Sequence, residues 1–349
     1  MKAPAFIMPT RVARSTASSL MLTAVLALCL TTQPACNLLG KFAKRSVEVE
    51  RLLTPLAEAD AAQLMSLVNK VAGVRSIRGK VDIQFEDTSF ATSGIAEKYR
   101  TADGQIVVQR PGKVYLIVQA PFVASDIAHM TSDGQHFRIA IFQGDDKYKK
   151  FFRGTNDAAY SKLDGGNDVS PKGKSNQEAQ AVKALSNLRP QHLTDAVLVR
   201  PIDTQAPGLL YARSEFFQSE KDPASKKRVV RGYYFLDELQ SQGEGSARLL
   251  RRFWFDRVNG IRLARLQTFD ERGALVTDVS YADVKPVGEQ AVNLPTKISL
   301  TRPQDHYQLS LTYQSPESVV LDREYPADVF VLENKNNLPE VDLDAPKKP

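Results

Sequence analysis

Residue types that perform enzymatic chemistry are few in this sequence, and their spacing does not match a known kind of active site. None of the four histidines stands at metal-ligand spacing from another ligand. The chain contains neither the Gly-x-Ser-x-Gly motif of a nucleophile elbow nor a phosphate-binding loop. Residues 164–168 (DGGND) resemble a calcium loop in composition only, because they lack the alternating pattern of oxygen ligands. The sequence therefore predicts no enzyme, no cofactor and no metal site.

Chemistry of another kind is indicated at Cys36, which follows an export signal. Residues 1–35 carry no acidic residue and contain an apolar core at 19–30 (SLMLTAVLALCL), which is typical of a signal peptide and too short to span a bilayer. The cysteine and the alanine before it resemble the end of the lipobox of bacterial lipoproteins, in which the thiol is acylated. Gln33 and Pro34 depart from the usual pair in that box. We predict lipidation at Cys36, with cleavage before an unmodified cysteine as the alternative.

An acylated Cys36 would anchor the chain, because two or more acyl chains hold a protein stably at a membrane. Once Lys2, Arg11 and Arg14 leave with the signal peptide, the formal net charge falls from +6 to +3. A charge this small does not indicate a nucleic acid partner. Asn37 follows the cysteine, and by resemblance to sorted lipoproteins it favours the outer membrane, facing the periplasm.

The body of the protein is organised around residues 104–121, where two apolar runs meet at Pro111-Gly112. These runs predict a β-hairpin whose turn uses the fixed φ of proline and a positive φ at glycine. Neither run alternates cleanly between apolar and polar residues, so both faces of the sheet should meet apolar groups. We expect a helix on the outer face of this sheet and an apolar cavity on its inner face.

Two amphipathic helices are predicted to accompany the sheet. The first begins at Asp60, which forms a capping box with Gln63, and it ends where Gly73 takes the place of a C′ glycine. The second covers residues 177–188 and is closed by Pro190. A helix inserted midway through a series of strands is suited to act as a lid.

The remaining periodic segments are strands. They lie at 81–85, 96–100, 105–110, 113–119, 125–131, 136–142, 147–152, 209–218, 229–236, 248–256, 261–269, 274–284, 294–302 and 306–313. Since most neighbours have no helix between them, we predict a mainly β fold: a half-open antiparallel β-barrel with α-helices packed over its mouth. The predicted parts are a signal peptide (1–35), a lipidated N-terminus and linker (36–54), the β domain (55–335) and a disordered tail (336–349).

Several short motifs follow one another in a fixed order. They are Gly104-x-Ile106-x-Val108-x-Arg110-Pro111, then Pro121, Ile127 and Ser132-Asp133-Gly134, and later Phe269-Asp270-x-x-Gly273, Tyr281-Ala282-Asp283-Val284 and Leu294-Pro295-x-x-Ile298. Together they resemble the LolA/LolB-like family of periplasmic lipoprotein carriers and acceptors, over residues 55–335. The resemblance implies a half-open barrel that shields acyl chains from water.

The resemblance also implies site residues. Arg110 would be a latch that hydrogen-bonds the lid helices and closes the empty cavity; the alternative is a solvent-facing turn residue. The candidate lining of the lipid cavity, for which ordinary core residues are the alternative, comprises Val81, Ile83, Phe85, Ile106, Val108, Tyr115, Ile117, Phe253 and Phe255.

The function implied is that of an anchored lipoprotein whose apolar barrel cavity binds acyl chains, in lipoprotein or lipid transfer or insertion at the outer membrane. Its partners would be an acyl lipid or lipoprotein cargo, the membrane through lipidated Cys36, and a periplasmic carrier or envelope protein. The competing hypothesis is a non-enzymatic envelope scaffold or assembly lipoprotein that binds a protein partner. A continuous apolar cavity would favour the carrier, and a filled barrel with an exposed apolar patch would favour the scaffold.

Overall fold

The computed structural model describes residues 49–88, 97–98, 101–120, 125–143, 146, 149–156, 188–222, 225–243 and 245–345. The predicted signal peptide, Cys36, Pro121, nearly all of the predicted helix at 177–188 and the last residues of the predicted tail (346–349) lie outside the described residues. Within them the chain is mainly β, as the sequence predicts.

The described helices are Ala61–Ala72 (α1) and Pro190–Val197 (α2), with short 3-10 helices at Pro316–Ser318 and Ala327–Phe330. The strands are Arg51–Leu52 (β1), Ser76–Asp87 (β2), Glu97–Lys98 (β3), Ala102–Gln109 (β4), Lys113–Gln119 (β5), Asp126–Asp133 (β6), His136–Ile141 (β7), Phe151–Thr155 (β8), Leu209–Lys221 (β9), Arg228–Gly243 (β10), Ser246–Asp256 (β11), Arg262–Phe269 (β12), Leu275–Val287 (β13), Val292–Arg302 (β14), Tyr307–Tyr313 (β15), Val320–Leu321 (β16) and Glu340–Asp342 (β17). Each candidate strand of the sequence therefore has a counterpart.

One continuous sheet has the strand order β9–β10–β11–β12–β13–β14–β15–β2–β4–β5–β6–β7–β8–β17. Neighbours are antiparallel except β8 and β17. β1, β3 and β16 pair only with ends of β10 and β2. Among the described residues no pairing joins β9 to β8 or β17, so the sheet is open.

One face of this sheet, the inner face, is apolar over most of its width. The register places Leu236 beside Phe253, and Phe253 beside Leu266, in three successive strands. The same side continues through the other strands, since side chains opposite each other in a register share a face. Its core members include Val81, Ile83, Ile106, Val108, Val114, Leu116, Met130, Ile139, Val279, Ile298, Leu300, Leu309 and Leu311.

Both helices bury their apolar sides against the inner face. Leu64 and Val68 of α1 and Leu193 and Ala196 of α2 belong to the same core as the strands. Burial of each leucine or valine side chain contributes about 1.5–3 kcal/mol. Packing on the sheet therefore supplies most of the stability of an eight-residue helix such as α2, which is too short to be stable alone.

The predicted start of α1 and its end before Gly73 are confirmed, whereas the predicted C′ conformation of Gly73 is wrong. Asp60 Oδ1 accepts from Gln63 N at 2.8 Å, and Gln63 Oε1 accepts from Asp60 N at 2.9 Å, which completes the capping box. Gly73 has a right-handed conformation (φ −61°), so it does not act as a left-handed C′ glycine. Its N–H instead donates to Lys70 O at 3.3 Å.

A further local prediction needs correction, at a proline. The β4–β5 hairpin forms, but its turn contains a cis Arg110–Pro111 peptide bond and Gly112 does not take a positive φ. Pro190 begins α2, whereas the helix that it is predicted to close lies, except for Leu188, outside the described residues. The first turn of a helix accepts proline because the N–H that proline lacks would have no partner there.

The C-terminal chain covers the outer face where the sequence predicts a helix. Phe330, in a 3-10 helix, is fully buried with Val107 and Tyr325 and packs near Tyr115. Further along, β17 pairs in parallel with β8, and Arg153 forms an ion pair with Asp342 at 2.9 Å. The prediction of disorder from residue 336 onward is therefore wrong for 336–345, because pairing and burial offset the polar composition of this segment.

Candidate functional site

A cavity of about 650 Å³ lies between α2, the residues that follow it and the inner face of β10 to β14. Its volume is within the range of about 300–1,000 Å³ that is common for small-molecule sites. It is lined by apolar Pro201, Leu209, Leu250, Leu266, Phe269, Val276 and Val279 and by polar Gln191, His192, Asp195, Arg200, Asp203, Glu238, Arg251, Thr268, Thr277 and Arg302. Apolar and polar side chains therefore both line the cavity.

Some of the polar lining residues form a row across adjacent strands, called here the polar row. Glu238 lies opposite Arg251, Arg251 opposite Thr268, and Thr268 opposite Thr277. Arg302 on β14 extends the row by donating from Nη1 to Thr277 Oγ1 at 2.8 Å. Acidic and basic side chains are equally numerous among the lining residues, so the cavity carries no formal net charge at neutral pH.

An ion pair in this row fixes the segment that follows α2. Arg251 binds Glu238 in a bidentate manner, with Nε–Oε1 at 2.9 Å and Nη2–Oε2 at 2.5 Å. The two side chains are only 11% and 6% exposed. Arg251 also donates to Arg200 O at 3.0 Å and to Pro201 O at 3.2 Å. One buried guanidinium therefore joins two strands to the chain beyond the helix.

The histidine in the cavity is a poor base. His192 Nδ1 lies 3.0 Å from Tyr307 Oη. Burial lowers the pKa of His192 to about 3, and the nearby Arg302 contributes to the decrease. The imidazole is therefore neutral at pH 7, far from the pKa that general-base catalysis at that pH needs. Burial raises the pKa of Asp195, whereas Arg200, with Nε 3.4 Å from its carboxylate, opposes the rise.

Arg110 connects the ends of both helices to the β4–β5 turn. Its Nη2 donates to Val199 O, just beyond α2, at 2.6 Å. Longer contacts reach Ala72 O at the end of α1 (3.5 Å) and Val74 O (3.4 Å). Arg110 is half-buried, and burial lowers its pKa from the usual value. Arg110 therefore bonds the chain at the end of α1 and just beyond α2, and its role as a latch that opens on ligand entry remains a prediction.

Further hydrogen bonds hold the end of α2 and the residues that follow it. Asn69 of α1 accepts from Ile202 N at 2.7 Å and donates to Ile202 O at 3.1 Å. Tyr281 Oη donates to Ala196 O of α2 at 3.1 Å. The residues around the end of α2 are thus bonded to α1, to β13 and, through Arg110 and Arg251, to the sheet on both sides.

The nine residues predicted to line a lipid cavity do not line this one. Seven of them lie on the inner face: Val81, Ile83, Phe85, Ile106, Val108, Phe253 and Phe255. Five of these seven, all but Ile83 and Phe85, are fully buried. The interpretation of these residues as ordinary core therefore describes their packing better.

Tyr115 and Ile117 lie on the opposite face. The register pairs Tyr115 with Val107 and Ile117 with Gln105, whereas Val114 and Leu116 of the same strand pair with Val108 and Ile106. Tyr115 packs against the C-terminal chain instead. The prediction that these two share an interior with Ile106 and Val108 is wrong, because the side chains of a strand alternate between faces.

The residues of the polar row were missed, although the sequence carries a signal for them. Glu238 follows Tyr234 and Leu236 at every second position, and Arg251 precedes Phe253 in the same way. A charged residue at the core position of two successive strands indicates a buried pair. Recognising the pair also requires the register between the two strands.

No family model matches this chain, and no curated protein matches it. Among solved structures it is similar to a LolA superfamily protein from Nitrosomonas europaea, with 13% identity and a TM-score of 0.39 over 78% of this chain and 99% of that chain.

Two other solved structures are similar. One is a DUF1329 family protein from Desulfovibrio piger, with 10% identity and a TM-score of 0.38 over 78% of this chain and 95% of that chain. The other is described as an outer membrane lipoprotein-sorting protein domain from Vibrio parahaemolyticus, with 11% identity and a TM-score of 0.38 over 80% of this chain and 99% of that chain. Within the described residues of the present chain, no helix has the length and apolar character needed to cross a bilayer.

Proposed function

We propose that this chain is an anchored envelope lipoprotein whose cavity beneath α2 takes an acyl chain of a lipid or lipoprotein, in transfer or insertion at the outer membrane. The observation that supports this most is the cavity itself, which lies between α2 and the sheet and has apolar Leu266 and Val279 among its lining residues. An acyl chain gains about 0.8 kcal/mol for each methylene removed from water. The anchor at Cys36 and the periplasmic location rest on the sequence.

In this proposal the acyl chain lies along Leu266 and Val279, two apolar residues of the cavity lining. The polar row then faces the end of the ligand that carries hydrogen-bonding groups, with Arg302 and neutral His192 at that side. Arg110 keeps α2 fastened while the cavity is empty and lets it move when the chain enters. The cavity supplies enclosure and orientation, and the proposed activity requires no covalent step.

The proposal is tested by replacing a residue of the cavity lining with a larger one, so that its side chain fills the cavity. Thr268 lines the cavity and is half-buried, so Thr268→Trp should occupy the space of the acyl chain. Thr312→Trp is the matched control, since Thr312 is also half-buried but on the outer face of β15. Full-length protein from cell envelopes is examined by native mass spectrometry and lipid extraction, and a Cys36→Ser chain is titrated with a fluorescent fatty acid.

The wild type and Thr312→Trp should carry lipid and bind the fatty acid, and Thr268→Trp should lose at least tenfold in affinity. Equal binding by both variants would place the ligand elsewhere. The proposal would be refuted if the wild type carried no lipid and did not bind the fatty acid. That result would favour the alternative, a scaffold lipoprotein with a protein partner.

A further inference from the structure

β9 forms one edge of the sheet, and eight of its thirteen residues are exposed. β9 has 13 residues and pairs with β10 without a register shift. On its other side no described residue forms a strand pair with it. Leu210, Phe216 and Phe217 are 52%, 39% and 47% exposed on this strand. Natural edge strands are usually short, bulged or covered, or carry proline or charged side chains. Among the described residues, β9 shows only the last of these features, at Arg213, Glu215, Glu220 and Lys221.

The opposite edge of the sheet shows the usual protection. There the chain's own C-terminal segment adds β17 alongside β8. The contrast indicates that β9 is an edge kept open for a partner strand. Such an edge offers free main-chain donors and acceptors to an added strand.

The direction of those main-chain groups follows from the bonds that flank β9. Ser241 N donates to Gly208 O, and Asp222 N donates to Lys227 O, both at 2.8 Å. Hydrogen-bonded pairs alternate along an antiparallel ladder. The even-numbered residues of β9 therefore direct N–H and C=O toward β10, and the odd-numbered residues direct theirs to the free edge.

We propose that the partner is a second copy of this chain, joined antiparallel through β9 about a twofold axis at Ser214. This register places Arg213 of one copy opposite Glu215 of the other, and the reverse pair forms on the other side of the axis. Both pairs consist of residues whose main-chain groups point to the free edge. Residues 209–219 of the two copies then overlap and form about twelve main-chain hydrogen bonds.

Charge selects this register over its neighbours. An axis at Arg213 would place arginine opposite arginine, and an axis at Glu215 would place glutamate opposite glutamate. Like charges directly opposite each other destabilise a strand pair, and opposite charges stabilise it. Arg213 Nη2 and Glu215 Oε1 already lie 3.1 Å apart within one copy, with side chains 31% and 45% exposed. Glu215 also accepts from Arg257 Nη1 at 2.9 Å, so pairing across the axis would share the Glu215 carboxylate between Arg257 and the partner's Arg213.

The apolar side chains also fit the register at Ser214. Phe216 lies opposite Ala212 of the partner, on the outer face, and Phe217 lies opposite the partner's Tyr211, on the inner face. Phe216 stacks on Phe235 at 5.0 Å within its own copy, so pairing would extend an existing aromatic group across the axis. The exposed aromatic side chains of β9 are thereby covered.

Cysteine cross-linking tests the register directly. In a full-length chain that carries Cys29→Ser and Cys36→Ser, Ser214→Cys places two thiols opposite each other at the axis, in a pair without main-chain hydrogen bonds. Ala212→Cys is the control on the same strand and face, and its two thiols would lie about four residues apart along the strand, beyond the reach of a disulfide. Mild oxidation should yield a dimer of twice the mass with Ser214→Cys only.

Charge reversal tests the interface without a cross-link, with the mass in solution measured by sedimentation across protein concentrations. Arg213→Glu should weaken dimerisation at least about tenfold, whereas Lys221→Glu, beyond the paired residues, should not. Far-UV circular dichroism verifies that both variants fold. A wild type that is monomeric at every concentration, equal cross-linking of Ala212→Cys and Ser214→Cys, or equal dimerisation of the two charge variants would overturn the proposal.

Discussion

Replacing Arg110 with leucine should loosen the joint between the two helices and the sheet while leaving the chain folded. The guanidinium donates to Val199 O at 2.6 Å, and Val199 is only 1% exposed. Without the guanidinium, this carbonyl loses its charged donor in a place that water reaches poorly. Leucine retains part of the apolar stem, so packing around the side chain changes little.

The expected magnitude follows from the three contacts of Arg110. A hydrogen bond to a charged group contributes about 1.5–3 kcal/mol. The contacts to Val74 O and Ala72 O, at 3.4 and 3.5 Å, are too long to add much. We expect Arg110→Leu to lower the free energy of unfolding by about 2 kcal/mol, which corresponds to a fall in Tm of about 3 °C for a domain of this size.

Urea denaturation followed by far-UV circular dichroism measures this change, and hydrogen exchange at α2 locates it. Arg272→Leu is the matched control, because Arg272 is exposed in the β12–β13 turn and should change stability by less than about 0.5 kcal/mol. Faster exchange in α2 of Arg110→Leu, together with impaired loading of a fluorescent fatty acid, is expected. Equal stability and equal exchange in the two variants would refute the stabilising role of Arg110. Equal loading by the wild type and Arg110→Leu would refute the hypothesis that Arg110 is a latch.

Three further predictions concern stability. Arg251→Met leaves Glu238 unpaired in a buried site and should lower the free energy of unfolding by about 3–5 kcal/mol; a change below 1 kcal/mol in urea denaturation would contradict this. Because the folded pKa of His192 is about 3, well below its usual 6.5, only the unfolded state gains its proton as the pH falls from about 6.5 toward 3. Stability is therefore lost in that window, and His192→Gln should remove about 2 kcal/mol of the decrease between pH 7 and pH 5; a decrease equal to that of the wild type in urea denaturation would contradict this. Asp60→Ala removes the N-cap of α1 and should cost about 1 kcal/mol, and a Tm equal to that of the wild type would show that the cap contributes nothing.

Local patterns in the sequence were sufficient to place most elements of this fold. Asp60 and Gln63 set the start of α1 because a capping box needs only residues three positions apart. The β4–β5 hairpin was predicted because its two arms are adjacent in the chain. The conformation of its turn was not, because the choice between a positive φ at Gly112 and a cis bond before Pro111 depends on what the turn contacts.

Only the tertiary structure decided which side chains meet. Tyr115 and Leu116 are neighbours in one strand, and both are largely apolar. Tyr115 nevertheless packs against the C-terminal chain, whereas Leu116 belongs to the main core. Glu238 and Arg251 form their pair across a hairpin whose register shifts beside them. The sequence thus determined the strands and the first helix, since these depend on short-range periodicity. The position of the cavity and the open edge at β9 depend on pairings between distant strands, and a one-residue change of register would exchange the two faces.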